Sequence, residues 1–308
     1  MLEVIEVLGM ATFQDSGRRG YQSFGVPVSG AMDWFAYQVA NQLVGNSKDS
    51  TVVEIGLGEA TFRAKQDCVL AVTGAGFEVQ NYLWTFPLWT SFYVRAGWIM
   101  QIKKISGGNW AYLAIAGGFD VPKVLGSSST YIRGGLGSAI QAGDILQSGK
   151  PSAELTKLAA RDFPFPKFMQ YSQTPIVEVI SGPQRERFDN TFFENEYMLS
   201  KSFDRMGYRL EGKAVETLDK SELISEGMTM GSIQISSGGQ PIVMMADSPT
   251  TGGYPKIANV IRADLPLLAQ CEAGKSRIRF KETSVEEAQE KYKNLFTLSS
   301  LENHKSRH

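Results

Sequence analysis

Histidine is nearly missing from this chain of 308 residues: it has two, His304 and His308, both in the polar C-terminal string SLENHKSRH. The body of the chain therefore offers no imidazole for a Ser-His-Asp triad, a histidine-ligated zinc or a general base titrating near neutrality. Acid–base work must fall to carboxylates, lysine, tyrosine or bound water. Cysteine is equally scarce. Cys68 and Cys271 stand far apart in sequence and in apolar surroundings, which favours two buried free thiols over a disulfide framework or a zinc site. No metal site is expected. Neither charge dominates: 31 Lys+Arg against 32 Asp+Glu give a net charge of -1, which removes the general electrostatic reason for a nucleic-acid or anionic-membrane partner. No apolar run approaches the ~20 residues of a membrane helix, and the start MLEVIEVL lacks the charged and apolar regions of a signal peptide. The expected location is cytoplasmic.

The usual nucleotide and hydrolase motifs are absent as well. The string AQCEAGKS, 269–276, matches a relaxed phosphate loop, but that motif needs a strand before it and a helix after it. Here the pattern predicts a helix before, from Asp264 through Gln270, and a strand after, Arg277 to Lys281. No nucleotide is expected there.

A chain of this length has room for about two domains. From Thr51 to Ile115 short β-branched and aromatic runs, 51–55, 60–64, 68–73, 98–102 and 110–116, are separated by glycine turns. That density predicts a barrel or sandwich in place of βαβ units. One helix is expected over 33–44, ended by Gly45-Asn46. Residues 148–175 change character, with Pro151, Pro164, Pro166 and Pro175 among charges, and read as a linker. The expected organisation is a domain over 1–147, the linker, a second domain over 176–293 and a mobile tail over 294–308. Ser284 and Glu287 make a capping box for the last helix.

Two stretches carry candidate chemistry. In Ser225–Asn259 a buried strand, Pro241 to Ala246, delivers a loop that holds Asp247, Ser248, Thr250, Thr251 and Gly252-Gly253. On spacing alone such a loop reads first as a tight turn with locally bonded hydroxyls and second as a binding site on a rigid strand. Near the N-terminus, the glycine-punctuated stretch 9–33 places Asp15, Arg18, Arg19 and Tyr21 on a loop. It is either a site where backbone approaches a ligand or a surface loop with a solvated ion pair. Asp204-Arg205-Met206-Gly207-Tyr208 echoes the Asp15–Tyr21 string, and Gly252-Gly253-Tyr254 echoes Gly117-Gly118-Phe119, which is consistent with a duplicated domain.

Several of these strings together resemble one family. Gln14-Asp15-Ser16-Gly17-Arg18-Arg19-Gly20-Tyr21, Gly25 through Asp33, Gly182-Pro183-Gln184, Asp204 through Leu210, Ser225-Glu226-Gly227, Gly239-Gln240-Pro241-Ile242 and Thr251 through Ile257 are similar to the biotin-dependent carboxyltransferase family. That family includes KipA, the C subunit of bacterial 5-oxoprolinase and part of the carboxyltransferase domain of urea carboxylase. The resemblance runs from about Val4 to Ala288. It implies a mainly β chain of two tandem cyclophilin-like β-barrel domains with a few short helices. It also implies, for direct partner, a KipI-like B subunit, together with a further A subunit, and ATP spent by the complex to open 5-oxo-L-proline to L-glutamate. Two alternatives stay open: a carboxyltransferase acting on urea or a related amide with a biotinylated partner, or a KipA-type protein that binds and antagonises a KipI-like kinase inhibitor. Some urea carboxylase relatives carry histidine where this chain has Gln184, which tilts the resemblance to the 5-oxoprolinase branch.

An anionic lactam needs a cation for its carboxylate, partners for its ring amide and a donor for charge developing on its carbonyl oxygen. The candidates are Arg18 and Arg205 for the first role and Asp247 and Gln240 for the second. Thr251 with the Gly252 and Gly253 amides is the candidate for the third. Asp247 and Thr251 are the catalytic candidates, and Asp15 joins the binding set.

Overall fold

Strands close into sheets by pairing their backbone groups with those of their neighbours, and in the computed structural model, which describes residues 1–164, 169–219 and 221–299, strands are the main regular structure. By its contacts the chain divides into two compact units. One comprises Met1–Arg18, Ser29–Gln170 and 297–299; the other comprises Arg19–Val28 and Tyr171–Phe296.

In the first unit β1 (Leu2–Gln14) runs antiparallel along the whole of β2 (Val52–Ala64). With β3 (Cys68–Gly74), β4 (Phe77–Gln80), β5 (Thr85–Phe86), β6 (Thr90–Val94), β7 (Ile99–Lys104), β8 (Trp110–Ile115) and β9 (Ile145–Leu146) they form a nearly closed barrel. Its strand order is β5-β4-β7-β2-β8-β3-β6, with β1 pairing both β2 and β9. The interior is a single apolar cluster that includes Val53, Ile55, Phe62, Leu70, Val72, Ile102 and Leu113. Every residue of β3 is buried, because one face meets that core and the other meets helix α1 (Trp34–Leu43). Asp33 caps this helix by accepting from Ala36 N at 2.9 Å, and Thr73 Oγ1 donates to Ala36 O at 2.6 Å.

Two sequence expectations change here. Glycine 9, at the head of the glycine-punctuated stretch expected as a loop, lies inside β1 and bulges it, with φ +111° and a register shift between Leu8 and Met10. A Cβ at Gly9 would lie 2.9 Å from Gly56 O. Likewise the strands expected at 51–55 and 60–64 are one strand, β2, bent at Leu57, whose φ is 60°.

The second unit is a closed barrel of β10 (Ile176–Ser181), β11 (Glu196–Phe203), β12 (Gly207–Glu211), β14 (Ser232–Ile235), β15 (Pro241–Met244), β17 (Lys256–Val260) and β18 (Arg277–Glu282). The last strand closes it by running parallel to the first. A separate two-stranded ribbon, β13 (Glu226–Gly227) with β16 (Thr251–Gly252), is attached to it. Short helices α3 (Thr191–Glu194) and α4 (Leu265–Ala269) and, as far as Phe296, the longer α5 (Val285–Ser299) complete the unit, while α2 (Leu155–Leu158) belongs to the first. Lys291 of α5 reaches Asp264 Oδ1 at 2.7 Å and Glu178 Oε2 at 3.0 Å, which fastens the helix to the barrel.

Of the stretch expected as a linker, 165–168 lie outside the described residues. The part before them is built onto the first unit: Ser91 Oγ donates to Leu158 O at 2.7 Å and Phe163 N to Trp89 O at 3.0 Å. The expected tail begins later than 294, since α5 continues to Ser299; the remainder, 300–308 with both histidines, lies outside the described residues. Among the described residues no helix is long and apolar enough to cross a membrane, and no group of three His, Cys, Asp or Glu is arranged to hold a metal ion.

Candidate functional site

Three sequence strings that lie far apart meet on the second barrel. The chain leaving β10 stays on the β17 ladder past the strand end, with Gly182 N donating to Ile257 O at 2.8 Å and Gln184 N to Lys256 O at 3.2 Å. This places the Gln184 side chain, 9% exposed, between the other two strings. Its Oε1 accepts from Lys256 N at 3.0 Å, and its Nε2 donates to Glu226 Oε1 at 3.0 Å. The opposite oxygen, Glu226 Oε2, lies 2.9 Å from Lys256 Nζ, which also donates to Gly227 O at 3.0 Å. Hydrogen bonds from Lys256 and then Gln184 outweigh the desolvation of Glu226 and hold its carboxyl below the usual value. It is therefore an ionised partner for Lys256 near neutrality, and a weak base.

The ribbon lies alongside. Met228 N donates to Thr250 O at 2.9 Å, Glu226 pairs with Gly252, and Gly227 with Thr251. Met228, Ile242 and Met244 form a small apolar cluster of their own. Gly252 sits against a side chain: a Cβ there would lie 2.6 Å from Gln234 Nε2, which donates to Tyr254 O at 2.8 Å. Thr251 and Gly253 are exposed.

Arg205 and Asp247 come together with each other as partners. Arg205 Nε meets Asp247 Oδ2 at 2.8 Å and Nη2 meets Oδ1 at 3.1 Å, a two-toothed pair in which the side chains are 8% and 9% exposed. Asp204 shapes the turn that presents Arg205, its Oδ1 accepting from Met206 N at 2.8 Å and Gly207 N at 3.1 Å. Asp247 N in turn donates to Arg205 O at 2.8 Å. So the arginine's charge is already matched inside the protein. Gln240 is likewise spent: its Oε1 accepts from Gly212 N at 3.0 Å and its Nε2 donates to Gly212 O at 3.1 Å, which makes it a brace between two turns.

Asp15 and Arg18 belong to the first unit. Asp15 is a buried carboxylate clamped by the serine string: Oδ1 accepts from Gly17 N at 2.8 Å and from Ser127 Oγ and Ser129 Oγ, each at 2.6 Å. Its Oδ2 accepts from Ser128 N at 2.8 Å and Ser128 Oγ at 3.1 Å. Burial is the largest influence and pushes its pKa up, but these bonds together outweigh it and hold the carboxyl below its ordinary value. Arg18 donates to Ser129 O. Both side chains are engaged with the 127–129 segment, and on the other side of the 15–17 turn the chain passes closely at Gly30: at φ +89°, a Cβ there would lie 3.0 Å from Gly17 N and 3.1 Å from Asp15 O.

Against known proteins, the model described as "Carboxyltransferase domain, subdomain A and B" matches residues 24–282. The chain belongs to this family. It is 38% identical to the C subunit of 5-oxoprolinase from Haemophilus influenzae over 297 residues, covering 94% of this chain and 93% of that protein. The corresponding Escherichia coli protein is 37% identical over 302 residues. Urea amidolyase of Saccharomyces cerevisiae is 29% identical, but the match covers only 16% of that protein. Among solved structures, the urea amidolyase of K. lactis superposes with a TM-score of 0.87 at 26% identity, over 98% of this chain and 20% of that one. TTHA0988 superposes with a TM-score of 0.82 at 29% identity, and this chain spans 55% of its length.

Within this carboxyltransferase-family chain, Gln184, Glu226 and Lys256 are the residues that role-by-role reading of the sequence passed over. Each stood inside a string that carried the resemblance, beside glycine or proline at a strand end. What the sequence could not display is their mutual bonding across 42 and 72 residues. The AQCEAGKS string does not fit a phosphate: α4 precedes it and β18 follows it. Lys275 Nζ lies 2.7 Å from Glu272 Oε2, and Ser276 Oγ donates to Gln173 Oε1 at 2.6 Å.

Proposed function

We propose that this chain is the C subunit of an ATP-dependent 5-oxoprolinase, working in the cytoplasm with a KipI-like B subunit, its direct partner, and with an A subunit, to open 5-oxo-L-proline to L-glutamate. The observation that carries the reading is identity of 38% over nearly the full length of both this chain and a 5-oxoprolinase C subunit, set against urea amidolyases of which it spans a sixth or so. The chain's own phosphate-like loop is closed by Glu272 and Gln173, so no step with ATP is assigned to it. ATP is handled elsewhere in the complex. This chain contributes a rigid binding surface: the ribbon with Thr251 and Gly253 exposed, the Gln184–Glu226–Lys256 cluster beside it, and the Arg205–Asp247 pair holding the loop that leads into it. Asp247 and Arg205 support this surface from within; Thr251 is the candidate to touch the ring. Preformed groups of this kind lower a barrier by being in place before charge develops.

A second reading, a carboxyltransferase for urea or a related amide with a biotinylated partner, is favoured by the family description and by the superposition on urea amidolyase. One experiment separates the two. Co-expressed with neighbouring A and B subunits, the chain should co-purify and yield glutamate that depends on both ATP and 5-oxo-L-proline, while the chain alone hydrolyses no ATP. Carboxyl transfer to urea from a biotinylated partner, with no glutamate from 5-oxoproline, would replace the first reading by the second.

A further inference from the structure

With Arg205 committed to Asp247, and Arg18 buried in the first unit with a bond to Ser129 O, neither arginine expected to meet the substrate's carboxylate is presented on this surface. We infer that Lys256 takes that role: its ammonium, set in place by Glu226 and Gln184, binds the carboxylate of a small lactam acid laid along the Thr251–Gly253 ribbon. The inference rests on the 5-oxoprolinase reading for the identity of the ligand and on the following geometry for the site.

An ammonium has three donors. Lys256 Nζ gives one to Glu226 Oε2 at 2.9 Å and one to Gly227 O at 3.0 Å. Among the described residues the third has no protein partner. The side chain is 12% exposed, so it is largely held by its packing but not sealed from solvent. Its backbone is fixed too, because Lys256 N is held by Gln184 Oε1. A residue built this way loses little side-chain entropy when a ligand arrives. Three residues before Lys256 on the same loop, the exposed Gly253 has open space: a Cβ there would meet Ser225 Oγ at 3.5 Å and nothing nearer.

The neighbouring charges select the kind of anion. Glu226 is ionised and shares the ammonium, so every incoming anion also faces the Glu226 carboxylate, and a dianion such as phosphate is repelled by it about twice as strongly as a monoanionic carboxylate. A monoanionic carboxylate needs a single strong donor, which is what the third Nζ–H supplies. Gln184 acts through the other two as a positioning residue, orienting Glu226 with one end of its amide and the Lys256 backbone with the other.

The test uses the complex reconstituted with the A and B subunits and two lactams, 5-oxo-L-proline and 2-pyrrolidone, which lacks the carboxylate. Lys256→Met should raise KM for 5-oxo-L-proline by about ten- to a hundredfold, the worth of one charge-assisted bond, with little change in kcat. Its effect on 2-pyrrolidone should be small, and Lys256→Arg should recover much of the loss. An unchanged KM, or equal losses for both lactams, would overturn the assignment. A second readout does not depend on turnover. With 15N-lysine in the chain, the Lys256 Nζ signal, identified by its disappearance in Lys256→Arg, should move on adding 5-oxo-L-proline and stay still with 2-pyrrolidone. If inorganic phosphate moves it as strongly, or 5-oxo-L-proline not at all, the carboxylate site is wrong. If the signal moves but the wild-type complex makes no glutamate, the site stands and the 5-oxoprolinase reading falls.

Discussion

At Arg205 the guanidinium and Asp247 satisfy each other in a buried setting, and this changes what mutation should do. Expecting a free substrate-binding arginine, one would predict Arg205→Ala to spare stability. A buried pair stripped of one partner instead leaves a charge without compensation, at a cost of roughly 3–5 kcal/mol. Arg205→Ala and Asp247→Ala should therefore each lower the unfolding midpoint strongly, and Arg205→Met/Asp247→Leu should restore a large part of it, as read in urea melts of all three variants. Single variants as stable as the wild type would mean that the pair is open to water. The residue types at this site were legible in the sequence, since a carboxylate and an arginine at strand ends were both singled out. Their pairing was not, because nothing in local pattern tells an arginine aimed at a ligand from one aimed at an aspartate 42 residues on. Asp15 repeats the lesson: a motif aspartate on a glycine loop proves to be the acceptor for a serine turn more than 110 residues away.

On the scale of elements, the ribbon depends on a missing side chain. Replacing Gly252 by alanine puts a methyl group 2.6 Å from Gln234 Nε2 and must break its bond to Tyr254 O or push the ribbon outward. Gly252→Ala should then cost more in the activity of the reconstituted complex than in melting temperature, and the Met228 amide, now bonded to Thr250 O, should exchange faster with deuterium. Full activity with unaltered exchange would show that the ribbon has slack. Strand existence was readable from β-branched runs, as in β3 and β8, and helix α1 from its spacing and its Gly45-Asn46 end. The sequence misled where glycine has two meanings. A turn and a bulge both need positive φ, and only the partner strand, here Gly56 and its neighbours opposite Gly9, decides between them. The two-residue strands of the ribbon are too short for any periodicity to reveal.

For the whole molecule the decisive fact is that neither unit is one uninterrupted length of chain: residues 19–28 lie within the first half of the sequence and are counted with the second unit. A fragment 171–299, which keeps the continuous part of the second unit, lacks them. It should fold less stably than the same barrel in the full chain, by a lower melting temperature and a broader transition in calorimetry, and a synthetic 19–28 peptide added in excess should shift the midpoint upward. A fragment as stable as the intact chain would show that the segment contributes nothing to its unit. The arrangement also bears on biosynthesis. The barrel it joins closes only when β18, ending at Glu282, pairs with β10, so about 250 residues must still be translated after the segment has been made. At about 5–20 residues per second the ribosome keeps it waiting for roughly 10–50 s, with Phe24 carried on it, and a chaperone that holds nascent apolar segments would have that interval in which to act.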